Sequence, residues 1–301
     1  MSTAIRVRGL VKTYLTVRAV DGIDLDVDEG EVFALLGPNG AGKTTSVEIL
    51  EGYRRRDAGE VQVLGQDPQS AGRHWRSRIG IVLQTSNENH QLTVAELVHH
   101  VAGYYPAPRD PDAVIESVGL TAKRTARMST LSGGQRRRLD VALGIVGGPR
   151  LLFLDEPTTG FDPQARRSFW DLIETLRADG TTILLTTHYL DEAEHLADRV
   201  AVVSAGRLLA VDTPERLGGP QAQVPRVRWL EPDGTTREEH TPTPTAVVAR
   251  LGERFAGEIP GLEVLRPSLE EVYLSMIATA DGDRATSGRQ HQPHATVEVA
   301  R

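Results

Sequence analysis

A five-residue apolar run, Val32-Phe33-Ala34-Leu35-Leu36, leads directly into Gly37-Pro38-Asn39-Gly40-Ala41-Gly42-Lys43-Thr44-Thr45. Behind it, Ser46-Val47-Glu48-Ile49-Leu50 has helical character. A strand buried on both faces, a loop that must curl and then a helix form the opening of an α/β nucleotide-binding domain. The segment from Gly37 to Thr44 fits the pattern G-x-x-x-x-G-K-T in full. Its glycines let main-chain N–H groups point inward as a cradle for phosphate oxygens, and the following helix adds the positive end of its dipole. In this pattern Lys43 reaches the β- and γ-phosphates of a nucleotide, and the Thr44 hydroxyl ligates Mg2+.

A second apolar run, Leu151-Leu152-Phe153-Leu154, delivers Asp155 and Glu156 at its C-terminal end. Ligands of open α/β sheets bind at that end of the strands. Successive strand side chains point opposite ways, so the two carboxylates can divide the labour. Asp155 is the candidate for the Mg2+ shell, and Glu156 for the general base that polarises an attacking water. Ahead of them stands Leu131-Ser132-Gly133-Gly134-Gln135, a glycine-containing turn that begins a helix predicted over Gln135–Val146. A helix start with exposed N–H groups and a serine hydroxyl is an anion site, so one chain carries two phosphate-cradling helix ends.

Together these motifs resemble the nucleotide-binding domain of the ABC ATPase family, whose signature motif Leu131–Gln135 matches without a departure. The resemblance covers about residues 4–215. It implies a phosphate-loop NTPase core with a parallel sheet, an antiparallel β subdomain, and a helical signature subdomain near 93–148, with ATP and Mg2+ as ligands. Tyr14 stands where the family places an aromatic that stacks on adenine; an ordinary core or surface tyrosine is the alternative. Gln84, after the predicted strand Ile79–Leu83, matches the glutamine that touches Mg2+ and the attacking water and links to a membrane partner. Asp162 matches the aspartate of the loop that crosses the dimer interface. The usual Gly-Leu-Asp there reads Gly160-Phe161-Asp162, one apolar residue for another. His188, after the predicted strand Thr182–Thr187, matches the histidine that contacts the γ-phosphate. Two such domains are implied to sandwich two ATP molecules, each between Gly37–Thr45 of one chain and Ser132–Gln135 of the other. ATP then closes the homodimer and hydrolysis opens it.

The rest of the chain organises around this core. Strand-like pieces at Ile5–Val7 and Gly22–Val27 precede the loop, and Val200–Ser204 with Arg207–Val211 read as a hairpin at the sheet edge. The stretch 93–148 is mostly helix-like. Composition shifts at Leu217-Gly218-Gly219-Pro220, which divides an ATPase domain (1–217) from an α+β appendage (218–280). Residues 281–301 hold little apolar material and are expected to be disordered. The pair His99-His100 and the run Arg136-Arg137-Arg138 read as solvated helix faces, adjacent spacing being wrong for a metal pair.

Composition narrows the function classes. The chain has no cysteine, which excludes disulfides and thiolate metal sites, and its net charge of −7 disfavours sequence-independent nucleic-acid binding. Met1–Leu10 shows no secretory signal. The most apolar runs fall far short of the roughly 20 residues that span a bilayer. The channel is therefore expected to be a separate transmembrane permease, with this chain working peripherally at the cytoplasmic face of the membrane. Pro267-Ser268-Leu269-Glu270-Glu271-Val272-Tyr273-Leu274 resembles the C-terminal part of ATPases from daunorubicin-type multidrug exporters, which serve drug-like or lipid-like cargo. The departures are a compact appendage and the insert Ser86-Asn87-Glu88-Asn89-His90-Gln91. The alternatives are an importer ATPase and a non-transport ABC ATPase of DNA repair, translation or cluster assembly. The latter usually carries long coiled coils, two cassettes or zinc cysteines, and none is visible in the sequence.

Overall fold

The structure, a computed structural model, describes residues 2–83 and 91–289. The chain divides into two compact units, Met1–Pro214 and Glu215–Arg301, a boundary just ahead of the composition shift at Leu217.

The first unit opens with two long strands, β1 (Thr3–Tyr14) and β2 (Val17–Asp28), then β3 (Val32–Leu36) and α1 (Lys43–Leu50). Next come β4 (Ala58–Val63), the short α2 (Arg73–Arg76) and β5 (Ile79–Val82). A helical stretch follows, with α3 (Val94–Ala102), α4 (Pro111–Ser117) and α5 (Gly133–Ile145). Then β6 (Leu151–Asp155), α6 (Pro163–Ala178), β7 (Thr182–Thr187) and α7 (Leu190–Leu196) alternate, before the hairpin β8 (Arg199–Ser204) and β9 (Arg207–Asp212). The first strands run longer than their apolar cores suggested because β1 and β2 pair along almost their whole length, with several bulges.

β2-β1-β4 form an antiparallel sheet, and β5-β6-β7-β3-β8-β9 a second sheet that is parallel except for β9 at its edge. Every residue of β3, β6 and β7 is buried, as expected for strands covered on both faces. Phe33, Leu35, Leu151, Phe153 and Leu184 of the large sheet share one core with Val47 and Leu50 of α1 and with Ile5, Val7 and Val63 of the small sheet. Each such side chain contributes about 1.5–3 kcal/mol by leaving water. On the helical side, α5 packs on β5 while α7 packs on β3 and β7.

Among these elements the register places the chemistry. Leu36 pairs with Thr187 across β3 and β7, and Asp155 pairs with Thr186 across β6 and β7. The glycine loop, the acidic pair and His188 therefore leave the sheet at the same level.

The second unit holds the short α8 (Gly219–Ala222), β10 (Arg226–Leu230), β11 (Thr236–His240), α9 (Pro244–Phe255), β12 (Glu263–Leu265) and α10 (Leu269–Arg289). Its sheet order is β11-β10-β12, and Val227, Trp229, Val247, Leu251 and Ile259 form its own small core. The helix expected to end at Ile277 continues to Arg289, so 281–289, expected to lack structure, are helical. Once a helix is nucleated, each added residue gains one hydrogen bond without a new nucleation cost, and no proline interrupts this stretch. The remainder of the expected tail, 290–301, lies outside the described residues. Among the described residues no helix is long and apolar enough to cross a membrane.

Because each unit has its own core, a chain ending at Pro214 is expected to unfold cooperatively and to keep its nucleotide affinity within about threefold. Thermal unfolding and fluorescent-nucleotide titration of the truncated chain check this. Loss of the cooperative transition would show that the first unit depends on the second.

Candidate active site

The glycine loop is shaped by close backbone approaches. A Cβ on Gly37 would collide with the carbonyl oxygen of Val203, and one on Gly42 with that of Ala19. Gly42 also stands at φ +100°, open to glycine and disfavoured for other residues. Ala19 belongs to β2, so the β1–β2 hairpin that carries Tyr14 lies against the loop. Lys12 and Arg54 place their cationic groups 5.5 and 5.3 Å from the centre of the Tyr14 ring.

Pro38, Asn39, Gly40 and Thr44 are exposed, Ala41 is buried and Thr45 half-buried. Lys43 is only 6% exposed, and its Nζ donates to the carbonyls of Gly37 (2.6 Å) and Pro38 (3.2 Å). Burial pushes its ammonium down from the usual lysine range, and the carboxylates of Glu156 and Asp155 oppose that shift. The desolvated ammonium is thus held inside the cradle where a phosphate would supply a counter-charge.

The acidic pair is organised by Thr186. Its hydroxyl donates to Asp155 Oδ1, while the main-chain N–H of Glu156 reaches both the Thr186 carbonyl and its Oγ1 at 3.1 Å. His188 Nδ1 lies 3.4 Å from Glu156 Oε1, and Thr159 Oγ1 lies 3.5 Å from Oε2. Lys43, Asp155, Glu156, Thr186 and His188 thus make one cluster. Thr44 and Asp155 also line a cavity of about 370 Å3 with Val47, Glu48, Glu51, Tyr53, Ile81 and Leu83. A hydroxyl and a carboxylate, both hard oxygen donors, beside a phosphate cradle fit Mg2+, which takes few protein ligands and completes its shell with phosphates and water.

Ser132, Gln135 and Asp162 make their hydrogen bonds elsewhere. Ser132 caps α5: its Oγ accepts from Gln135 N at 3.3 Å and Gln135 Oε1 accepts from Ser132 N at 3.1 Å, a reciprocal capping box. An accepting Oγ still has its proton to donate. Gly133 and Gly134 have open space around them, leaving the helix start accessible. Asp162 caps α6 by accepting from Ala165 N at 2.8 Å, and Phe161 is buried edge-on against Phe169, so the leucine-to-phenylalanine departure is absorbed by packing. Gln84 and residues 86–90 of the insert lie outside the described residues.

The sequence pattern of the ABC transporter family matches residues 20–159. Over nearly its full length the chain is 38% identical to the daunorubicin/doxorubicin resistance ATP-binding protein DrrA of Streptomyces peucetius, with 94% of this chain and 95% of that protein covered. The chain belongs to the ABC transporter ATP-binding family. It is also 38% identical to the Nod factor export ATP-binding protein I of Rhizobium sp. (strain N33), covering 91% of this chain and 96% of that one. Among solved structures, cbiO1 from Clostridium perfringens, part of the ABC transporter complex cbiONQ, superposes with a TM-score of 0.65 at 28% identity, over 71% of this chain and 90% of its own. The fold is thus that of an ABC-type nucleotide-binding domain, and the chain is an ATPase subunit.

Three polar residues that pack against this ABC site escaped the sequence reading. Thr186 reads as one more strand residue until the register sets it against Asp155. Arg137 was expected on a solvated face but is 7% exposed, because it shares the inner stripe of α5 with Val141 and Ile145. That helical spacing was the available signal. Its guanidinium donates to the carbonyls of Pro157 (Nε, 3.0 Å), Asp155 (Nη2, 2.6 Å) and Leu83 (Nη1). Glu192, fully buried on α7, faces Thr187, Thr158 and Trp170, and burial pushes its carboxyl up. His99 and His100 do sit on an exposed helix face, against Asp112 and Tyr104.

Glu51, at the end of α1, gives a pH dependence. Burial, with Asp155 and Glu48 nearby, pushes its carboxyl up to about 8 from 4.5. The folded chain then holds a proton that the unfolded chain releases, so Glu51 erodes stability as pH rises from 4.5 to about 8. In nucleotide-free, Mg2+-free buffer, Glu51→Gln is expected to melt close to the parent at the acid end of that window. It should melt several degrees above the parent at the alkaline end. Parallel melting curves across the window would expose a Glu51 that titrates normally.

Proposed function

We propose that this chain is the ATP-hydrolysing subunit of an exporter of drug-like or lipid-like molecules, acting as a homodimer docked on a separate transmembrane permease at the cytoplasmic face. The observation that carries export is the reach of the similarity: it extends through the appendage to 94% and 91% of the chain, and both relatives are named for drug resistance or export. An importer ATPase remains the second reading within transport. It is distinguished by co-purification with a substrate-binding protein.

In this reading the cluster around Lys43 and Glu156 carries the chemistry. The loop N–H groups and Lys43 hold the phosphates, and Tyr14 stacks on adenine. Thr44, Asp155 and Gln84 would hold Mg2+, which when bound would supply charge neutralisation to the phosphates. Glu156 takes a proton from the attacking water as the oxygen bonds to the γ-phosphorus and the bond to ADP breaks. His188, in reach of Glu156 Oε1, orients that carboxylate and touches the γ-phosphate.

Two exposed helix starts, at Ser132–Gln135 and Asp162, are left with hydrogen bonds local to their own helices. Their open N–H ends suit the ATP and the interface of a second copy, which supports the shared-site dimer. Leu83 is 55% exposed and Leu92 36%, on either side of the segment 84–90, beside exposed Tyr53. Such apolar exposure supports a permease contact there.

Glu156→Gln is expected to bind ATP as the parent does, to lose about 10²–10⁴-fold in turnover, and to accumulate as an ATP-bound dimer on size-exclusion chromatography. Parent-like hydrolysis would remove Glu156 as the base. For the shared site, Ser132→Arg and Lys43→Ala should each be inactive alone, while their mixture regains hydrolysis through a heterodimer with one intact site. A mixture as inactive as its components argues against shared sites that work singly.

A further inference from the structure

Arg137 holds the chain on both sides of Glu156. Its Nη2 takes the carbonyl of Asp155, its Nε that of Pro157, and its Nη1 reaches across to Leu83 at the end of β5. Glu156 stands between the two gripped carbonyls at φ +45°, a left-handed conformation that a residue with a Cβ adopts only under restraint. The second restraint comes from β7, through the Glu156 N–H on Thr186. One side of the turn is therefore fixed by the sheet and the other by α5.

A guanidinium suits this task. Its planar fork offers N–H groups in several fixed directions, where an ammonium is a single point. The charge is balanced at longer range by Asp140, Asp155 and Glu156.

We propose that Arg137 is a positioning residue for ATP hydrolysis: it sets the turn at Glu156, and so the direction of that carboxylate, from the same helix whose first turn is Ser132–Gln135. Movement of α5 then displaces the base, so hydrolysis in one chain depends on where its own signature helix lies. Through Leu83 the same guanidinium ties both to the edge where the chain enters 84–90. This rests on the reading of Glu156 as the base, and deepens it.

The test is Arg137→Lys, which keeps charge and length but cannot span three carbonyls. ATP affinity and KM are expected to stay within about twofold, because the loop site does not involve Arg137, while kcat falls by about tenfold or more. Introduced into Glu156→Gln, Arg137→Lys is expected to add little further loss, since it acts through the same carboxylate. In Arg137→Ala, millimolar guanidinium should restore part of kcat. Parent-like kcat in Arg137→Lys, or full additivity with Glu156→Gln, overturns the proposal. So does a joint fall of affinity, kcat and melting temperature without guanidinium rescue, which would mark Arg137 as merely structural.

Glu156→Gln measured alongside separates the two readings. If that variant still turns over, the base assignment fails. If it is inactive while Arg137→Lys is normal, only the present proposal fails. Hydrogen exchange on the unaltered chain needs no variant. Mg2+-ADP, at a dilution where the chain is monomeric, is expected to slow exchange across Gly133–Ile145 as well as at the loop. Protection confined to the loop overturns the link to α5.

Discussion

The pairing of β3, β6 and β7 is the constraint on which everything else in the first unit rests. Three fully buried strands lie parallel, with Leu36 beside Thr187 and Asp155 beside Thr186. Parallel strands all deliver their C-terminal ends to one edge, so a phosphate loop, two carboxylates and a histidine meet there although they are far apart in sequence. A slip of one residue in β6 would turn Asp155 away from Thr186 and reverse the directions in which the acidic pair points. The register is protected because both faces are close-packed, so a slip would exchange side chains of different size and shape between two filled faces.

Charge inside this frame is managed by main-chain oxygens as much as by opposite charges. Lys43 donates to two loop carbonyls and Arg137 to three carbonyls around the acidic strand end. Burying a cation costs several kcal/mol unless its donors are satisfied. In both cases the carbonyls offset that cost without neutralising the charge, which leaves Lys43 able to attract a phosphate. Glu51 and Glu192 show the opposite solution, in which burial favours the protonated carboxyl. The site thus combines cations held by main-chain carbonyls and carboxyls pushed toward neutrality by burial.

Strain sits at the acidic strand end. Glu156 is the only residue of the acidic strand end in the left-handed region, and it is held from β7 on one side and α5 on the other. By contrast, Ser132 and Asp162 cap their own helices with ordinary geometry and turn their helix starts outward. One group of residues is bonded across several elements, and the other makes hydrogen bonds local to its own helices.

How much of this was legible depends on the distance over which each feature is encoded. The loop Gly37–Thr45, the acidic pair, the signature turn and the hairpin at Val200–Val211 are local patterns, so the sequence alone determined them: glycine at a forced turn and apolar residues at strand spacing act within a few residues. The extents of β1 and of α10 were less visible, because pairing partners and helix propagation carry both past their apolar segments. Thr186 and Arg137 were decided only by tertiary structure. Thr186 matters through the strand that lies beside it. Arg137 gathers Leu83, Asp155 and Pro157, and no local pattern around an arginine between two others says which groups it will meet. The helical stripe with Val141 and Ile145 hints at burial, but what waits there is fixed by how α5 packs against β5 and the end of β6, a contact between residues the chain itself keeps far apart.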